Sequence, residues 1–158
     1  MGQQQLLLVI LVTIIVGIAT VVAINIFGQA SDQANRDAVR QDLMGAAAQA
    51  QGIWARPEMM GGAARDFEGE ALTAAELLAA LNIPINDPLW DPGSSTTATN
   101  DNGDYTITPQ GASQLLIEGD PTSGGDVIQA IVCRDATSGN WLIEIDSPEA
   151  TPPEGCSD

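Results

Sequence analysis

The 158-residue chain predicts an α+β fold: a long N-terminal helix, apolar in its first half, whose second half packs on a small antiparallel β-sheet. Three observations predict it. Residues 6–24 are apolar and uncharged, with Thr13, Gly17 and Thr20 as the only weak points. Apolar residues then recur at helical spacing through residue 53. In the last third, short apolar or alternating runs are separated by turn residues. Two parts follow: an apolar helix over residues 1–28 and a head domain over residues 29–158.

The apolar run matches a hydrocarbon core about 30 Å thick, since a helix rises about 1.5 Å per residue. It is longer than the h-region of a cleaved signal peptide and has three glutamines where that peptide carries basic residues, so it is expected to be retained. No basic residue lies on its amino side, so the positive-inside rule assigns no orientation. Past Phe27 and Gly28 the pattern narrows to one stripe, with Val39, Leu43, Ala46, Ala50 and Ile53 at spacings of four and three. The alanines at 46, 47, 48 and 50 allow another element to approach closely. Arg56-Pro57 is the expected stop, because the residue before proline resists helical dihedrals. Residues 4–55 thus read as one helix of roughly 75 Å.

In the head, Thr73-Ala74-Ala75-Glu76 is a capping box ahead of Leu77, Leu78 and Leu81, which predicts a short helix near residues 74–82, ended by Pro84. Asp87-Pro88 and Asp91-Pro92-Gly93 mark turns, and residues 94–103 read as a polar loop. About four strands follow. Tyr105 and Ile107 alternate with threonines, residues 114–118 centre on Leu115-Leu116-Ile117, and residues 127–132 are apolar almost throughout. In the last, over residues 141–145, positions 141, 143 and 145 share a face. Residues 119–125 and 135–139 connect these runs at hairpin length.

With 21 acidic residues against 5 basic ones and a net charge of −16, the chain is a poor partner for nucleic acid or anionic headgroups. A surface this acidic and free of lysine suits a saline setting, where salt screens its self-repulsion, and equally an ordinary acidic secreted protein. If the polar half lies outside the cytoplasm, Cys133 and Cys156 pair and staple a proline-rich tail that has little other means of order. There is no CxxC and no histidine to activate a thiolate.

The near-terminal run Gln3-Gln4-Gln5-Leu6-Leu7-Leu8-Val9-Ile10-Leu11-Val12, continued by Ile14-Ile15-Val16-Gly17-Ile18-Ala19, resembles the N-terminal segment of type IV pilins and pseudopilins. The specific match covers about twenty-five residues; elsewhere the likeness is one of architecture. The resemblance implies a helix that anchors in the inner membrane and then packs into the core of a helical filament, with the head outside. It implies an assembly surface of Gln5, Leu6, Leu7, Leu8, Ile10, Leu11, Ile14, Ile15, Gly17, Ile18, Val21, Val22 and Ile24. It also implies a disulfide closing the C-terminal region, where Cys133 and Cys156 fall. The partners implied are other copies of the chain, inner-membrane lipid before assembly and the pilus assembly machinery, with the protein ending on the cell surface. Three features depart from the family pattern. Gly2, the only candidate leader glycine, has no basic residue before it. Gln5 stands in the place of the usual glutamate if Met1 is the mature start. The helix-kinking proline is missing, which leaves Gly17 and Gly28 as soft points.

Other classes are weaker. A single-pass anchor carrying a binding module would use the same helix, and a pseudopilin of a secretion system the same plan. Asn100-Asp101-Asn102-Gly103-Asp104 spaces oxygen ligands like a calcium loop but lacks the later bidentate glutamate, so a solvated turn is the expectation. No cofactor, metal or catalytic residue is expected. There is no histidine, lysine, GxSxG or phosphate-cradling glycine loop, and Asp66 and Glu68 read as surface charges. Trp54, Trp90 and Trp141 are expected to fill the core.

Overall fold

The computed structural model describes residues 2–146 and 150–156. The fold is α+β: helix α1 (Gly2–Ala55), a 3-10 turn (Glu58–Met60), helix α2 (Ala74–Ala80) and strands β1 (Thr97–Thr99), β2 (Gly103–Gly111), β3 (Gln114–Pro121), β4 (Ile128–Arg134) and β5 (Trp141–Asp146). The chain divides into two compact units, one ending at Ala34 and one beginning at Asn35.

The first unit is helix alone, continuous through Gly17 and Gly28. Its two hydroxyl side chains turn back on the helix: Thr13 Oγ1 donates to the Ile10 carbonyl at 2.8 Å, and Thr20 Oγ1 to those of Val16 and Gly17 at 2.9 Å. This back-bonding satisfies the only polar side chains within the apolar run, so neither needs water.

The second unit opens with residues 35–55 of α1, whose buried stripe is Val39, Leu43, Ala46, Ala47, Ala50 and Ile53. Ala48, expected to share that face, is exposed instead, because it lies a half-turn from Ala46 and Ala50. The helix stops as Arg56-Pro57 requires. Its last carbonyls are then taken by returning chain: Ala63 N–H donates to Ile53 O (3.0 Å), Arg65 N–H to Trp54 O (2.8 Å) and Ala64 N–H to Arg56 O (3.0 Å). Ala64 and Arg65 hold positive φ of 52° and 72° to make these bonds. In α2 the capping box is complete, with Glu76 N–H donating to Thr73 Oγ1 and Thr73 N–H to the Glu76 carboxylate. Leu81 caps the end of the helix, and Asn82 turns left-handed (φ 54°) ahead of Pro84.

The strands form one antiparallel meander in the order β1-β2-β3-β4-β5. Five strands stand where about four were expected. The polar loop over residues 94–103 contains β1, which pairs Ala98 with Tyr105. Only Ala98 of its three residues is buried, so this edge strand carries almost no hydrophobic pattern. Strand β3 also runs on to Pro121, opposite Gly103, which shortens the connection expected from residue 119. The inward residues Tyr105, Ile107, Leu115, Ile117, Ile128, Ala130 and Val132 join the α1 stripe and Leu77, Leu78 and Leu81 of α2 in one core. At Gly119 the sheet leaves no room beside the helix: a Cβ there would stand 2.6 Å from Val39 Cγ1.

Candidate functional site

In the first unit every residue proposed for assembly is exposed: Gln5, Leu6, Leu7, Leu8, Ile10, Leu11, Ile14, Ile15, Gly17, Ile18, Val21, Val22 and Ile24. They cover the helix on all sides, as do Ile26 and Phe27, which are 60% and 74% exposed. An amphipathic helix would leave one side wet; this one has none to leave. The helix is long and apolar enough to cross a membrane. Burying a large apolar side chain is worth about 1.5–3 kcal/mol, so repeated along the run this outweighs any other interaction the segment can make. Gly17 and Gly28 have nothing within 4 Å of a built Cβ, so both are open to a close neighbour.

The start of the second unit is fastened to the sheet by polar side chains. Asp42 projects its carboxylate toward β2 and the β1–β2 connection, where Oδ2 accepts from Tyr105 OH (2.7 Å), Asn102 Nδ2 (3.0 Å) and Asn100 Nδ2 (3.2 Å). About two helical turns before it, Asn35 donates to the Asn102 carbonyl at 3.0 Å and accepts from Ser123 N–H at 3.2 Å. Burial first, then the bond to the Asp42 carboxylate, pushes the Tyr105 phenol well above its ordinary value.

This arrangement assigns the calcium-like segment a different part. The amides of Asn100 and Asn102 point at Asp42, and Asn100 Oδ1 accepts from the N–H groups of Asn102 (2.8 Å) and Gly103 (3.0 Å). Asp104 Oδ1 takes the Thr99 hydroxyl. The segment is an Asx turn that clamps a helix. Among the described residues no group of three or more histidine, cysteine, aspartate or glutamate side chains is arranged to hold a metal ion. Asp66 accepts from Glu68 N–H at 2.9 Å in another such turn.

Cys133 and Cys156 are joined as a disulfide, with Cα atoms 5.7 Å apart. Cys133 lies on the sheet face turned away from α1. The segment 150–152 lies against that face beside Leu116, Gln129 and Ile131, where Ala150 N–H donates to Gln129 Oε1 at 3.1 Å. The tail is therefore a cover for the outer face, which explains the burial of Ile131 there.

Two tryptophans meet at the far end of the helix. Trp54 and Trp141 stand edge to face at 5.4 Å, Arg134 lies over the Trp54 ring at 5.2 Å, and Trp54 Nε1 donates to the Ala112 carbonyl. Trp90 departs from the expectation of a common core: it is absent from the core cluster and its indole N–H has no partner among the described residues.

Sequence reasoning singled out the asparagine segment but missed Asp42 and Asn35, the two helix residues that hold it. Their signal was faint: two polar side chains within a turn of the buried positions Val39 and Leu43. Comparison of the chain with models of known protein families, with curated proteins and with solved structures finds no match.

Proposed function

We propose that the protein is the structural subunit of a helical surface filament of the type IV pilus kind. The apolar helix leaves the bilayer to pack against copies of itself, and the disulfide-closed head rides outside. One observation carries this reading: residues 6–24 present exposed apolar side chains on all sides of a helix that runs unbroken into a separately packed head. A filament core of like helices removes that surface from water as fully as lipid does. The fit to the outer setting comes from the disulfide and the acidic, lysine-free surface. The reading assigns no catalysis and no cofactor.

A plain membrane anchor for the head uses the same helix, and one experiment separates the two. Detergent is removed from the purified full chain and the product is imaged by negative stain. Regular helical polymers are expected, and Gly17→Asp should abolish them while the near-ultraviolet circular dichroism of the head stays unchanged. Protein found solely in membranes, or polymers indifferent to the introduced charge, would leave the anchor as the answer.

A further inference from the structure

The two edges of the head carry complementary features. Beside edge strand β5 a groove of about 300 Å³ opens between that strand and α1, lined by Arg40, Met44, Ile143 and Ile145. Met44 is 62% exposed and Ile143 39%. Beside the opposite edge strand, the chain that leads into β1 (Asn86 N–H donates to the Thr99 carbonyl at 2.9 Å) raises Leu89, 88% exposed, between Asp87 and Asp91. The backbone of this turn is held by hydrogen bonds. Leu89 N–H is held by Asp87 Oδ1 at 2.8 Å, Trp90 N–H returns to the Asp87 carbonyl, and Asp91 Oδ1 fixes Gly93 N–H at 3.0 Å.

The geometry points to a docking contact between successive copies of this chain, in which Leu89 of one head enters the groove of the next. The charges match: two aspartates flank the leucine, and Arg40 lines the groove. Arg40 is bonded to Asp37 at 3.1 Å, but a guanidinium has five donors and accommodates a second carboxylate. The apolar parts match as well, an exposed leucine side chain on a hydrogen-bonded turn against methionine and isoleucine. A turn already fixed loses little freedom on docking. No copy can fill its own groove, because Leu89 and the groove lie on opposite edges of a five-stranded sheet, about 19 Å across at strand spacing. A contact between unlike faces, repeated without closing, builds an open helical array. The inference deepens the filament reading and rests on it for the array, though the pairing itself can be read separately.

The test places a benzophenone amino acid at Leu89, an exposed site whose change spares the core. The full chain so labelled is mixed with an equal amount of nitrogen-15 chain lacking the probe, detergent is removed, and the sample is irradiated. Adducts to Met44 or Ile143 of the heavy copy are expected, and Met44→Ser should lower their yield roughly tenfold. Polymers whose adducts lie elsewhere, on lipid or within one copy, would overturn the docking and spare the filament. The expected adducts in vesicles without polymers would support the docking and remove the filament. Neither polymers nor adducts would end both.

Discussion

Asp42 collects three donors from β2 and the connection before it, about sixty residues away in sequence, and each is left without its acceptor if the carboxylate is removed. Asp42→Ala should therefore cost the head about 2 kcal/mol in urea unfolding, more than the roughly 1 kcal/mol expected for Tyr105→Phe, which deletes one bond. Tyr105 also sets the alkaline limit. Its phenol titrates at a raised value in the folded head and near 10 when unfolded. The stabilisation is thus complete below about pH 10 and is lost as pH climbs from there toward the folded value. The chain has one tyrosine, no lysine, and its two cysteines are bonded, so this side chain dominates the alkaline limb. The urea midpoint should hold from pH 8 to 9 and fall above about 10; in Tyr105→Phe that fall should be absent.

Among the elements, α1 and α2 were the most legible, because helical periodicity and a capping box are written in neighbouring residues. Thr73→Ala should cost about 1 kcal/mol, measured by thermal melt. The Glu76 carboxyl is held below its ordinary value by the Thr73 backbone N–H and then by its hydroxyl, so its contribution is present above the unfolded value and fades as pH falls through the folded one. Strand β1 was illegible for a physical reason: a three-residue edge strand buries one alanine and is defined by its pairing with β2. The role of Gly119 was equally hidden, since a glycine at a strand position gives no hint of what approaches it. Gly119→Ala should destabilise by about 1–3 kcal/mol through contact with Val39, and Val39→Ala in the same chain should recover part of the loss.

In the molecule taken together, two features outside the core govern stability. The disulfide closes a loop with a sequence separation of 23 and holds the tail against the outer sheet face. Replacing both cysteines by serine should cost about 3 kcal/mol and raise dye binding as Ile131 and Leu116 lose their cover. The second feature is the net charge of −16. Raising salt from about 0.1 M to 1 M shortens the Debye length from about 10 Å to 3 Å, so the melting temperature of the head should rise. An unchanged melting temperature would show that self-repulsion is not a burden on this fold.

The order of residues was enough to specify where helix α1 starts to need an apolar surrounding, where it becomes one-sided and where it stops, since each depends on side chains a few positions apart. It was also enough for α2 and four of the strands. The folded chain alone decided that Asp42 and Asn35 grip the asparagine turn, that the tail covers the outer face, and that Leu89 and the Arg40 groove stand on opposite edges. Those facts depend on which distant segments pair, and pairing is selected by the total of buried area and satisfied polar groups rather than by any local pattern.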